Sequence, residues 1–544
     1  MNKLAAFFSK RSVGLFIIFL AVVHRVVNVL FVSYYGRDKL FLVMQSKSLL
    51  QGKGLGVQYF NFTTDTINPV YDFTPLWPPG YPIALAPFLK LFHYNIYWAT
   101  TTLDIIVCIA LIFIIRKICD QIGFSAAATN IMTLIAGCFE YTFINESLPT
   151  DTISLVLFLI GLSMSLKLIL IPSFSFTRLL AVSFVLFLPC FFRYNYPAVT
   201  FSLIVAIIFI GYIKKDALIR KKGWWLFACT LLFTAAFFVI MRSVTGHAGY
   251  ATSTERGFYP ENIVHWFPVV PSSFINIAFL TSQLTRTIGV SFHTLMQFLE
   301  IINVVAIVFL LFIFFKNIFK KKLFENLSPF RLFLVAGAAS SIGLFVLLGY
   351  MSLTYKVQAG IANNWNYVYE PRYFAFAIIF FQLVFIGAFF VFCKELFIKN
   401  VFPKVIGWVC LLVLFFEVTH NIYFHTKVAF NFKGYKSSVY REQDYSYYIS
   451  LINEIGKKYP GYEIWAAAPG DNFYQYLATY YGYKGIADAR SFKDHAIKVS
   501  NNILLILVLF DHEMEAYNSF LNSARILQQG KRHNSNFFVI ELKP

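Results

Sequence analysis

The sequence predicts an α-helical polytopic membrane protein, about eleven transmembrane helices followed by a small extracytoplasmic α/β domain. Three observations predict the helices and their order. The chain is 58% hydrophobic and only 13% charged, with mean hydropathy +0.63. Apolar stretches near the length of a membrane span recur along most of it. Basic residues gather in every second connection between them.

A soluble domain carries about 25% charged residues, and no soluble fold hides this much apolar surface from water. The formal net charge is +19. In a soluble chain that excess points to nucleic acid. Here it sits mainly in short loops, where it sets orientation, so membrane lipid and not nucleic acid is the expected surrounding. All seven cysteines fall in or beside apolar spans, without zinc-site spacing. Neither a structural disulfide nor a cysteine metal site is expected.

The elements follow in order. Lys3, Lys10 and Arg11 precede an apolar run to about Val32 with no small-x-small cleavage site, which reads as an uncleaved anchor. Spans are expected near 12–33, 96–115, 125–144, 149–171, 177–192, 197–213, 223–241, 292–315, 331–350, 373–393 and 403–424. With the N-terminus in the cytoplasm, the inner loops hold Arg116 and Lys117, Lys167 and Arg178, Lys214 to Lys222, Lys316 to Arg331, and Lys394 to Lys404. The short outer loops hold Arg193, Lys356 and Arg372. That alternation suits an integral protein of a bacterial-type plasma membrane, with its C-terminus outside. The division expected is a membrane domain over 1–425 and an extracytoplasmic domain over 426–544. In the tail, Ser446–Lys458 reads as a helix, Tyr462–Ala468 as a strand and Asp471–Tyr481 as a helix. The apolar run Ile503–Phe510 reads as a buried strand, Glu513–Gln528 as a helix and Phe537–Leu542 as a last strand.

Long outer segments locate the working surface outside. The first opens with Tyr34-Tyr35-Gly36-Arg37-Asp38 at the membrane boundary. An amphipathic stretch, Lys39–Leu50, leads to Gln51-Gly52-Lys53-Gly54. Next comes the corner Pro75-Leu76-Trp77-Pro78-Pro79-Gly80-Tyr81-Pro82, and then apolar Ile83–Phe92, suited to the membrane surface. This order resembles the GT-C glycosyltransferases, in the branch of protein O-mannosyltransferase-like and lipid A aminoarabinose transferase-like proteins. Asn145-Glu146-Ser147-Leu148 resembles that family's acidic motif before the fourth helix, and Glu370-Pro371-Arg372-Tyr373 its Arg-Tyr motif before a late helix. The resemblance covers roughly residues 12–395 through short motifs, and their order carries it.

The resemblance implies that Asp38 is the general base, with Glu146 as a second acidic residue of the site and Tyr373 beside the donor. Many members have a second acid after the first, whereas here Lys39 follows, so no required metal or other cofactor is expected. The implied donor is a polyprenyl-phosphate sugar, and the acceptor a hydroxyl of a glycan, lipid or protein. Such a donor brings its own leaving group. One carboxylate to take the acceptor proton and cations to hold the departing phosphate complete the chemistry. Lys356, Arg372 and Arg193 are the outer cations available.

Plainer readings stand beside these. Asp38 also fits a solvated loop carboxylate, and Glu146 and Asp151 fit acids favoured by a helix N-terminus. Arg372 fits an interface marker, and Arg193 a counter-ion for Glu146. His247 and His265 lack ligand spacing. A membrane transporter and a lipid-linked glycan polymerase or ligase remain as alternative functions. Against the transporter, Asp104, Glu140, Glu300 and Glu417 fall toward outer helix ends, only Arg25 lies nearer mid-helix, and no internal repeat is found.

Overall fold

The computed structural model describes residues 2–31, 37–61, 65–72, 77–139, 149–246, 257–262, isolated positions between 274 and 312, 328–354, 371–392, 399–430, 440–468, 472–486, 502–532 and 535–542. Membrane-type helices dominate. Helix α1 (Asn2–Phe8) precedes α2 (Arg11–Phe31); α3 (Arg37–Leu50) and a hairpin of β1 (Val57–Asn61) and β2 (Asp65–Asp72) lead to α4 (Gly80–Leu91). Then come α5 (Ile96–Gln121), α6 (Ala126–Cys138), α7 (Pro149–Leu170), α8 (Phe176–Phe192), α9 (Tyr196–Ile213) and α10 (Ala217–Thr245). Further on are α11 (Pro329–Thr354), α12 (Ala375–Gly387) and α13 (Val401–Phe430).

Seven of these helices are long and apolar enough to cross a membrane, and three shorter ones are strongly apolar. Each falls on an expected span. The span expected near 292–315 lies mostly outside the described residues. Large apolar side chains point outward along the bundle, among them Phe16 and Phe19 on α2, Leu232 and Val239 on α10, and Leu412 on α13. Lipid tails, not water, solvate such a surface.

Helix α6 is too short to span, since its 13 residues rise only about 20 Å. Its last carbonyls have no partner within the helix, and lipid offers none. Side chains of two neighbours supply the donors. Arg25 donates to Ala136 O, His24 Nδ1 to Gly137 O at 2.9 Å, and Asn421 Nδ2 to Cys138 O at 3.0 Å. A carbonyl only accepts, so His24 carries its proton on Nδ1. Its Nε2 lies 2.9 Å from His425 Nδ1.

The C-terminal part is an α/β domain. Helix α14 (Tyr440–Lys458), β3 (Glu463–Ala467), α15 (Asn472–Tyr480), β4 (Lys484–Ile486), β5 (Ile503–Phe510), α16 (Met514–Ser523), β6 (Arg525–Arg532) and β7 (Ser535–Leu542) follow in order. The sheet order is β4-β3-β5-β7-β6, with β3 parallel to β4 and β5 and the other pairs antiparallel. Central β5 is buried on both faces. Leu504, Ile506 and Val508 join a core with Tyr448 and Leu477, while Leu505 and Leu507 pack with Tyr517 and Phe520 on the other face. The expected helix over Glu513–Gln528 is corrected. It ends at Ser523, and Arg525 begins an edge strand paired with β7, where its Nη1 meets Glu541 Oε2 at 2.6 Å.

What places the candidate site is the packing of α3. Leu40, Leu42 and Val43 on α3 share one apolar cluster with Tyr81, Leu85 and Leu89 on α4, with Ile96 and Ala99 on α5, and with Tyr474 and Leu477 on α15. Ser46 Oγ donates to Pro82 O at 2.9 Å. Gly80 opens α4 where the backbone runs against the end of α8: a Cβ there would lie 2.5 Å from Phe191 O. Only glycine lets the proline-rich corner come so close.

Candidate active site

The ends of α2, α5, α7, α8 and α12 converge at one end of the bundle, where α3 begins. Tyr97 on α5 donates to Leu30 O on α2 at 2.8 Å, tying two of those ends together. Asp38 lies in the first turn of α3, half-buried. A carboxylate there is favoured by the helix dipole. The next residue turns inward: Lys39 Nζ meets Asp104 Oδ2 on α5 at 2.6 Å, with both side chains almost fully buried. The lysine standing where relatives of the resembled family carry a second acid is therefore an internal counter-ion, and it anchors the first turn of α3 to α5.

A second buried pair lies across α7 and α8. Arg193, just past the end of α8, puts Nε 2.5 Å from Asp151 Oδ1 and Nη2 2.8 Å from Asp151 Oδ2. Asp151 sits in the first turn of α7. This is the two-pronged geometry that suits guanidinium to carboxylate. The guanidinium carbon is also 4.7 Å from the centre of the Trp77 ring and 5.4 Å from that of Tyr373. Trp77 belongs to the proline-rich corner, and Tyr373 to a short turn, Pro371–Phe374, that leads into α12.

The structure thus brings Arg193 and Tyr373 together with Trp77 and Asp151. It places Asp38 on the helix packed against the proline-rich corner. Arg372 lies in the turn beside Tyr373; its side chain, together with all of Glu146 and Lys356, falls outside the described residues. Among the described residues no group of three or more His, Cys, Asp or Glu side chains converges to hold a metal ion.

No family model matches the sequence, and no curated protein matches it. Solved structures do. ArnT from Cupriavidus metallidurans in the apo state aligns over 98% of this chain and 98% of its own, at 12% identity and a TM-score of 0.54. The same protein bound to undecaprenyl phosphate aligns over 97% of each chain at 10% identity and 0.55. This chain has the GT-C fold. An oligosaccharyltransferase from Archaeoglobus fulgidus, crystallised with zinc and sulfate, aligns over 93% of the chain and 69% of its own at 11% identity and 0.47.

Two partners were missed in the sequence. Asp151 reads in sequence as an ordinary acid at a helix start, and Asp104 as one intramembrane charge among four. Their partners lie 42 and 65 positions away. Within this GT-C fold the available clue was chemical: a charge so close to an apolar span needs a partner of opposite sign.

Proposed function

We propose that the chain is an inverting glycosyltransferase that moves a sugar from a polyprenyl-phosphate donor to an acceptor hydroxyl at the outer face of the membrane. The observation that carries this reading is the position of Asp38, in the first turn of a helix directly after the first span. That position lies in a chain sharing, over nearly its whole length, the fold of a protein crystallised with undecaprenyl phosphate. Asp38 takes the acceptor proton as the hydroxyl oxygen attacks the anomeric carbon. The bond from that carbon to the phosphate oxygen breaks, and the lipid phosphate leaves with the electron pair. Arg372 and Lys356 hold the departing charge, and Tyr373 and Glu146 complete the proposed site. A positioned base contributes about 10²–10⁴-fold, and fixed cations facing the developing charge contribute further. Because Lys39 follows Asp38 where many members of the resembled family have a second acid, the reaction is read as needing no metal. The C-terminal domain, assigned to 426–544 beyond a membrane domain of 1–425, rests beside the site and helps to select the acceptor.

The test is a transfer assay in proteoliposomes with a panel of polyprenyl-phosphate sugars, run with EDTA, on the native protein and on Asp38→Asn. The native protein is expected to transfer at least one sugar, and the folded variant to lose about 10²-fold or more. A fully active Asp38→Asn removes Asp38 as base. Ion-coupled uptake with no transfer favours a transporter.

A further inference from the structure

Arg193 first reads as a third cation for the lipid phosphate, yet its surroundings describe a different task. Only 5% of the residue is exposed. Two of its donors are spent on Asp151, and a further hydrogen bond joins it to Tyr373. Both the Trp77 and Tyr373 rings lie within cation–π range of the same guanidinium. A desolvated ion pair is a poor way to gain stability, because packed apolar side chains of equal volume do as well or better. Its use here is geometric. Four chain segments far apart in sequence meet on one rigid planar group: the proline-rich corner, the start of α7, the end of α8 and the turn into α12.

We propose that Arg193 is a positioning residue, which, locked by Asp151, holds Trp77 and Tyr373 and so fixes the proline-rich corner and the Arg372-bearing turn relative to one another. What those segments do when so placed rests on the transferase reading given above.

The experiment uses the full chain in lipid nanodiscs. Hydrogen–deuterium exchange is measured without ligand over peptides covering 77–84 and 371–378, in the native protein, Arg193→Gln and Arg193→Lys. Undecaprenyl phosphate binding and sugar transfer are measured on the same samples. Arg193→Gln is expected to speed exchange about tenfold or more in both peptides together. It should lower the transfer rate about 10²-fold, as misplaced reactive groups do, and leave undecaprenyl phosphate affinity within about threefold. Arg193→Lys, which keeps the charge but not the fork, should recover part of the loss. A loss of undecaprenyl phosphate affinity of about tenfold or more with exchange unchanged overturns the proposal and makes Arg193 a direct ligand. Aggregation of both variants overturns it in favour of a purely structural pair. If the native protein neither binds nor transfers while exchange still rises in both peptides, the transferase reading falls and the positioning role stands.

Discussion

Lys39 and Asp104 illustrate what a single buried charge demands. Each ion on its own would cost several kcal/mol to desolvate, and at 2.6 Å each offsets the other. Removing one partner therefore does more harm than removing both. Lys39→Met is expected to destabilise the protein by about 3–5 kcal/mol, and Lys39→Met with Asp104→Leu to recover most of that. Denaturant unfolding in micelles reads both, and a double variant no more stable than the single one would refute the pairing argument. The two buried ion pairs were not legible in the sequence, because helical periodicity relates residues three or four apart and says nothing of partners on different helices. Arg193 was read as a cation with an acid to neutralise, and the acid it meets is Asp151. The place of Asp38 in the first turn of a helix was legible, because the end of an apolar run and the start of an amphipathic stretch mark a sharp boundary.

Elements were read best where one strong signal decides them. Hydropathy marks the spans, and β5 matches its expected bounds because eight apolar residues of strand length leave little choice. Where tertiary contacts decide, sequence reading fails. The apolar run of α6 continues to about residue 144, yet the helix stops at Cys138, where Arg25, His24 and Asn421 take its last carbonyls. Asn421→Leu removes one of those donors and is expected to cost about 1 kcal/mol, measurable as a lowered thermal midpoint in micelles; an unchanged midpoint would mean the capping contributes nothing. Strand β6 was misread for a related reason. Arg525, Leu527, Gln528 and Gln529 favour helix in isolation, but the free edge of β7 offers a ladder that propensity does not register. At the far end of that ladder, Asp511 accepts from Lys531 at 2.7 Å and from Asn536 at 2.9 Å. These hydrogen bonds, Lys531 first, hold its carboxyl below the ordinary Asp pKa. A depressed carboxylate pKa means that the unfolded chain binds the proton more readily. The stabilising contact is therefore complete above about pH 4 and is lost as pH falls through the depressed value. Asp511→Asn is expected to lower the melting temperature of the C-terminal domain at pH 7 and to narrow its gap from the native protein at acid pH. An identical gap at both pH values would rule this out.

At the scale of the whole molecule, the C-terminal domain and the helix that starts with Asp38 form one packed unit. Lys47 on α3 donates to Tyr480 O and lies 4.6 Å from the centre of the Tyr480 ring, while Tyr480 donates to Tyr94 O at 2.9 Å. Burial, then the nearby Lys53, draws the Lys47 pKa below the ordinary lysine value, as expected of an ammonium held against a protein surface. The Phe41 and Tyr476 rings meet edge-on at 6.1 Å. The sequence showed two kinds of chain, membrane helices and an α/β tail, but not that one rests on the other, since contacts between distant segments leave no local pattern. The contact changes what removal of the tail should do. A domain that only chose acceptors would, when deleted, alter preference and leave turnover intact. Here deletion strips the cover from apolar residues of α3 and frees the helix whose first turn carries Asp38. Tyr480→Ala is the gentler probe, since it removes the ring, its hydroxyl bond to Tyr94 and the face beside Lys47 while leaving the sheet whole. Expected is a loss of about 3 kcal/mol in stability, typical of a buried aromatic truncated to alanine. Faster amide exchange across 37–50 and a transfer rate lowered for every acceptor alike should accompany it. An altered acceptor ranking at native turnover, with exchange over α3 unchanged, would instead show that the domain selects acceptors without supporting the helix that begins at Asp38.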